Sequence, residues 1–295
     1  MRTLFAKQIC TKRDIRRNLA IAWRISVKSK VSVKKRKIHR RKQRAFVCFL
    51  FPSLAGVIVF VLLPFIDVIR RSFMTVMSGL FVGIENYKKV IHNQAFALAV
   101  KNTIHFTGTA IPLLVVIGLV ASMALSKLKD TRVIKSLYLF PMAMPTATVV
   151  IVWRMFFYKQ DFDSLVASYL WKNIGYTLIL WLAGIAAIPR EFVEAAHVDG
   201  AGWFRCFIYV KLPCLKGSLY TIIILSFLNS FKIYREAYLV AGSYPGQDIY
   251  LLQHIFNNWY INLEFDKLAA ATVIVGLFLF VFIILLNLFW NSDKK

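Results

Sequence analysis

Acidic residues are scarce in this chain. Only 14 Asp and Glu stand against 38 Lys and Arg in 295 residues, for a formal net charge of +24. No Asp or Glu falls within the three clearest apolar runs, which argues against a stand-alone secondary transporter or channel that couples ions through buried carboxylates. Cysteine is also rare. Cys10, Cys48, Cys206 and Cys214 match no zinc spacing, and none sits in a loop assigned below to the outer face. Neither a bound metal nor an extracytoplasmic disulfide is therefore expected. No strand is followed by a Gly-rich turn and a Lys-Ser/Thr pair, so the chain itself is not expected to bind a nucleotide. No Ser/His/Asp or metal-ligand constellation stands out, and the lone histidines His105, His197 and His254 read as structural. The chain is not expected to be an enzyme, and no catalytic residue, metal or cofactor is assigned to it.

What the chain has in abundance is apolar sequence, at 58% hydrophobic residues. That suits a polytopic all-α membrane protein. Crossing a hydrocarbon core of roughly 30 Å takes about 20 mainly apolar residues. Six segments meet that need: 45–66, 102–126, 136–157, 165–188, 217–234 and 268–290. The third to fifth are interrupted or short. Prolines punctuate the spans at Pro52, Pro64, Pro112, Pro141 and Pro145, and the spacing of the last two predicts a kink or a broken helix in the third. Gly108, Gly118, Ala121, Gly175, Ala183 and Gly184 are small enough to let helices approach closely. No internal repeat is apparent.

Charge sets the predicted topology. Residues 1–44 hold 17 Lys or Arg and one acid, Asp14. Basic flanks tend to stay in the cytoplasm, so both termini and the loops 127–135 and 189–216 are expected inside. Arg70, Arg71, Lys88, Lys89 and Lys101 in the first outer loop run against the rule. The domains are then a basic tail (1–44), a six-helix membrane domain (45–290) and a short cytoplasmic C-terminus (291–295). The tail reads as a topology anchor on anionic membrane lipid rather than a site for a specific nucleic acid. It is not expected to be a cleavable signal peptide, because its charged region is too long and the following apolar segment reaches full spanning length.

One polar loop carries the sharpest signal. Between the fourth and fifth segments runs Pro189-Arg190-Glu191-Phe192-Val193-Glu194-Ala195-Ala196-His197-Val198-Asp199-Gly200-Ala201-Gly202, with Leu212-Pro213 further on. Pro189 suits a first helical turn, and Gly200 a left-handed stop. Phe192, Ala195 and Ala196 fall on one short apolar face. A second helix is predicted from Gly202 to Lys211, ended by Pro213. The product is a helix–turn–helix across one face of the bundle.

The combination Glu194-Ala195-Ala196, Asp199-Gly200-Ala201 and Leu212-Pro213 resembles the EAA loop of the permease subunits of binding-protein-dependent ABC importers. Phe81-Val82-Gly83-Ile84-Glu85-Asn86-Tyr87, followed by Phe96 and Asn102-Thr103, is similar to the F-x-G-x-x-N-Y element of the sugar-type members. Trp171 to Tyr176 and Leu182 to Ile185 also fit. The resemblance spans about residues 45–290 and points to the maltose-type branch, first-subunit type. It implies the type I ABC importer permease fold, with six transmembrane helices in a bacterial plasma membrane. It also implies a second permease in a heterodimer, an ATPase dimer that binds the ATP, and an extracytoplasmic solute-binding protein. The solute would be a carbohydrate or related polyol, moved by alternating access. On this resemblance Glu194 interacts with the ATPase, Ala195 and Ala196 permit close packing, Gly200 makes the turn and Asp199 caps or pairs locally. Two features depart from the family pattern: the connection from Tyr158 to Ser164 is short, and the basic tail is long.

For the solute pathway, the polar residues Asn229, Ser230, Lys232 and Tyr234 in the fifth span are candidates. Trp153, Trp171 and Tyr176 are candidate ring-stacking partners. The bland reading is that Arg154 and Lys172 snorkel and the aromatics form interface belts. A third function class, a membrane-anchored lipid or nucleic-acid binder acting through the tail, leaves the six spans and the loop without a role.

Overall fold

A computed structural model describes residues 47, 49–75, 78–128, 131–157, 159 and 161–292. The basic tail and residues 293–295 lie outside them. Among the described residues there is no strand, only one isolated bridge between Met74 and Phe81. The chain divides into two compact units, Met1–Asp67 and Val68–Lys295.

Helix α1 (Phe49–Ser72) begins in the first unit, where none of its described residues is buried. It contains a π-helical turn at Ile58–Leu62, in which the Leu63 N–H bonds to the Ile58 carbonyl. Pro64 follows directly. A proline ring clashes with the carbonyl four residues back in an ordinary α-turn. The wider turn moves that carbonyl away and lets the helix continue.

In the second unit the helices are α2 (Glu85–Ile91), α3 (Gln94–Leu125), α4 (Arg132–Ala143), α5 (Thr146–Phe156), α6 (Phe162–Ala186), α7 (Arg190–Val198), α8 (Trp203–Cys214), α9 (Lys216–Ala241), α10 (Leu252–Ile261) and α11 (Phe265–Ser292). By length and composition α1, α3 and α11 can each cross a membrane alone. The third predicted span is broken as the prolines imply. Met144, forced to extended backbone ahead of Pro145, separates α4 from α5, and the two axes diverge by 101°. The fourth, α6, is helical throughout but is not apolar enough to count as a span by composition. It is enclosed by α3, α4 and α9, so it carries Ser168, Asn173 and Thr177 where a lipid-facing helix would carry Leu or Ile. Its start is three residues earlier than predicted, because Asp161 accepts the Ser164 N–H and closes a capping box.

Small residues on α3 and α6 set the packing. Phe106, Ala110, Leu114, Gly118 and Ser122 recur every four residues along α3 and are all buried. Gly118 meets Thr177 and Trp181, and the Trp181 indole N–H donates to the Val115 carbonyl at 3.2 Å. Gly175 lies on the α4 backbone at Tyr138 and Leu139, and Gly184 lies on Ser218 and Leu215. Gly108 does not share this role, since a Cβ there would meet nothing within 4 Å.

The F-x-G-x-x-N-Y element acquires a physical meaning. Gly83 has φ +58°, buried Asn86 donates to the Ser72 and Met74 carbonyls at 3.1 and 3.0 Å, and the Tyr87 hydroxyl meets Ser72 Oγ at 2.6 Å. The element is thus a clamp on the end of α1. Asn93 caps α3. Asn102 and Thr103 then tie α3 to distant backbone: Asn102 donates to the Gln247 and Tyr250 carbonyls, and Thr103 accepts the Leu252 N–H.

That tie positions α10, between the last two long helices. His254 on α10 is fully buried. Its Nδ1 accepts the Leu251 N–H, which leaves the proton on Nε2 without a partner. Burial pushes the imidazole down to about 4 from an ordinary 6.5. The folded form therefore resists a proton that the unfolded chain takes near pH 6.5. The associated stability is present above that pH and drains away as pH falls toward about 4, by on the order of 3 kcal/mol. We predict a melting temperature that drops between pH 6.5 and 4, and a shallower drop in His254→Gln. Equal slopes in the two proteins would remove this assignment.

Candidate functional site

The loop between α6 and α9 is two helices and a turn. Pro189 precedes α7 at φ −59°, ψ 134°, where its missing N–H costs nothing. The helix ends in a Schellman turn: Gly200, at φ +76°, donates to the His197 carbonyl, and Ala201 donates to the Ala196 carbonyl at 2.9 Å. A Cβ at Gly200 would meet nothing, so it is the left-handed backbone alone that selects glycine there.

The faces of α7 differ from the predicted apolar stripe. Val193 and Ala196 are half-buried, whereas Phe192 and Ala195 are exposed beside Glu191, Glu194 and Val198. Val198 is 87% exposed. The outward surface of α7 therefore mixes two carboxylates with apolar groups. Asp199 sits at the helix end, exposed.

The second helix, α8, runs further than expected. Pro213 does not end it. A π-helical turn at Phe207–Lys211 precedes Leu212-Pro213, with the Leu212 N–H bonded to the Phe207 carbonyl. This is the same accommodation of proline seen in α1. The helix stops at Cys214, and α9 leaves at a 64° bend. Leu212 and Pro213 are exposed at that bend, while Leu215 is buried against Trp181 and Ile222. Trp203 stacks on Phe207 and lies under the Lys127 ammonium at 5.9 Å, which ties the loop to the end of α3. The structure thus brings Glu194 through Ala201 into one unit, exposed except at the half-buried Ala196 and Ala201, and sets Leu212-Pro213 apart at the root of α9.

The fifth span also runs on. A 3₁₀ turn at Phe231–Ile233 interrupts α9, but helix resumes and ends at Ala241 rather than near Tyr234. This places Glu236 inside the bundle, 1% exposed, in an ion pair with Lys172 of α6. Lys172 therefore pairs rather than snorkels. Arg154 does not snorkel either. It donates to the Leu239 and Val240 carbonyls at 3.1 and 3.2 Å, capping the end of α9.

A cavity of about 160 Å³ opens at this pair, lined by Met142, Tyr169, Lys172, Asn173, Asn229, Lys232, Ile233 and Glu236. Of the four residues predicted for a solute pathway, Asn229 and Lys232 line it. Ser230 is buried and donates to the Phe227 carbonyl of its own helix, and Tyr234 packs on Tyr238 and His254. Sequence reasoning missed Glu236, Asn173 and Tyr169. The available signal was the spacing of Lys232 and Glu236, four residues apart, which puts both on one helix face.

A second, larger cavity of about 460 Å³ lies between α5 and α6 and is apolar. Trp153 and Trp171 line it with Phe156 and Phe157. Tyr176 does not join them. Its hydroxyl meets Ser226 Oγ at 2.7 Å, and the Tyr169 hydroxyl donates to the Ser226 carbonyl, so both tyrosines fasten α6 to α9.

Residues 114–291 match the sequence family described as binding-protein-dependent transport system inner membrane component. The chain is 26% identical over 239 residues to the trehalose/maltose transport system permease protein MalF of Thermococcus litoralis, across 71% of this chain and 81% of that protein. It is 26% identical over 279 residues to the arabinooligosaccharides transport system permease protein AraP of Bacillus subtilis, across 84% and 87%. Identity to the sn-glycerol-3-phosphate transport system permease protein UgpA of Yersinia enterocolitica is 25% over 265 residues, across 77% and 88%. Among solved structures, a bacterial ABC transporter involved in the import of the acidic polysaccharide alginate superposes with a TM-score of 0.70 at 15% identity, covering 86% of this chain and 98% of that one.

Proposed function

Because this chain belongs to the family of binding-protein-dependent transport system inner membrane components and has the type I ABC importer permease fold, we propose that it works beside a second permease and an ATPase dimer to import a carbohydrate or related polyol. It is a multi-pass membrane transport subunit. The observation that carries the coupling reading is the exposed helix α7, closed by the Schellman turn at Gly200 and anchored through α8 to the root of α9. A push on α7 would travel through a rigid two-helix unit into a long bundle helix.

In this reading Glu194 contacts the ATPase, Ala195 lets the two surfaces approach and Gly200 holds the turn. The partner binds and hydrolyses the ATP. An extracytoplasmic binding protein delivers the solute. A relative of known structure was captured with such a periplasmic protein holding an alginate pentasaccharide. In this reading the ATPase meets α7 from the cytoplasm. The carbohydrate or polyol class is supported by what the relatives are named for: trehalose or maltose, arabinooligosaccharides and the polyol phosphate sn-glycerol 3-phosphate.

The test is co-purification of the ATPase and solute uptake, for wild type, Glu194→Ala and Gly200→Pro. Proline holds φ near −65°, cannot reach +76° and loses the N–H that bonds to His197. We expect both variants to insert normally, to retain the ATPase about tenfold more weakly or worse, and to lose uptake. Normal transport by an inserted Gly200→Pro protein would reject the coupling role and bring the secondary transporter back to the front.

A further inference from the structure

The coupling reading uses α7 and leaves the outer face of α8 without a task. The two helices differ in charge. Glu191, Glu194 and Asp199 are exposed on and beside α7, whereas no Asp or Glu occurs from Gly200 to Arg235. Helix α8 carries Arg205 and Lys211 instead. Among the described residues neither makes an ion pair or a side-chain hydrogen bond. Lys127, at the end of α3, holds a third positive charge over the Trp203 ring. Helix α7 packs on the Phe207–Lys211 turn of α8, where Phe207, Ile208 and Val210 are half-buried. Arg205, Tyr209 and Leu212 follow one another at spacings of four and three and are exposed, so they form a face that α7 leaves open. Trp203 is 55% exposed, Phe204 65% and Tyr209 76%.

We propose that α8 is a membrane-surface anchor whose open face takes the phosphate headgroups of anionic phospholipids in the leaflet nearest the ATPase. The side of the membrane rests on the importer reading. Aromatic residues beside Arg and Lys are the composition of a helix that lies in the headgroup layer. The bend fits that placement. Helix α9 runs into the bundle, and spanning helices tilt by only about 20° on average, so a helix turned 64° from it lies along the membrane surface rather than across the bilayer. The Arg205 guanidinium donates to headgroup phosphate oxygens, and Lys211 adds a second cation. Trp203, Phe204 and Tyr209 rest where headgroups meet acyl chains. Free phosphate would leave these rings in water, and a zwitterionic lipid brings no net charge to the two cations. An anionic lipid meets both needs. Held in this way, α8 keeps one end of the two-helix unit on the bilayer while α7 follows the ATPase.

The test uses the chain assembled with its partner permease and ATPase in nanodiscs of phosphatidylglycerol and phosphatidylcholine, with only one of the two brominated at a time. Bromine quenches tryptophan on contact, and the part of the quenching lost in Trp203→Phe reports lipid at α8. We expect Trp203 to favour phosphatidylglycerol about tenfold, and Arg205→Gln/Lys211→Gln to remove most of that preference. Neither residue has a partner to lose, so the double variant should keep the wild-type melting temperature, which is measured alongside. No quenching by either lipid, equal quenching by the two, or a preference that survives the double variant overturns the proposal. Quenching that appears only once the ATPase is stripped away overturns it too and assigns the face to the ATPase. None of these results touches the importer reading, which stands or falls on uptake and ATPase retention in Gly200→Pro.

Discussion

Replacing Gly175 with leucine should prevent this protein from assembling its bundle. A Cβ at that position would fall on the Tyr138 carbonyl oxygen, 2.8 Å from the Tyr138 carbonyl carbon and 3.0 Å from Leu139 Cα. All three are helix backbone, which cannot rotate aside as a side chain does. The contact can relax only by separating α4 from α6. Within a bilayer, packing and interhelical hydrogen bonds hold helices together, with no hydrophobic drive between them. Separation therefore forfeits much of what joins this pair. Overpacking of this kind costs about 1–3 kcal/mol and more where the backbone must move. We expect little monodisperse protein after detergent extraction, and Gly175→Ala to show a lowered melting temperature. Gly108→Ala is the control. Nothing lies within 4 Å of a Cβ there, so it should be neutral or gain up to about 1 kcal/mol of helix propensity. Similar melting temperatures for the two alanine variants would show that the close approach at Gly175 does not hold α4 and α6 together.

Lys172→Met should be nearly as damaging, and more so than Glu236→Gln. The lysine side chain is 21% exposed and the glutamate 1%. Removing the lysine strands a buried carboxylate with no counter-ion, at a cost of about 3–5 kcal/mol for a pair of this kind. Removing the glutamate's charge leaves an ammonium on a flexible stem that already reaches solvent. The double variant Lys172→Met/Glu236→Leu should recover most of the loss, because an apolar pair of similar volume replaces the ion pair without stranding either charge. A double-mutant cycle on melting temperatures measures the coupling. If Lys172→Met melts with wild type, the ion pair is not formed in the membrane.

The α7 loop was legible because its signals are local. Pro189, the short run of helix formers and Gly200 each act within a few residues, and the Schellman turn closes between residues five apart. The break at Met144 was legible for the same reason, as proline constrains the residue before it. Pro213 does not end α8 because the π-turn at Phe207–Lys211 moves away the carbonyl that its ring would otherwise meet. The fifth span, expected to end near Tyr234, instead continues through Arg235 and Glu236 to Ala241. Glu236 is tolerated in helix because Lys172 of α6 pairs with it, and Arg154 of α5 caps the helix end.

By itself the sequence determined the apolar runs that span, the small residues where helices meet and the loop whose turn demands glycine. Each follows from hydrocarbon thickness, side-chain volume or one backbone dihedral, and needs no knowledge of a distant neighbour. Only the tertiary structure decided which polar residues share a cavity, why α6 tolerates asparagine and serine, and that Lys172 meets a glutamate 64 positions away. Charge inside a bundle is stable only where another helix supplies its partner, and that partner is set by packing rather than by order along the chain.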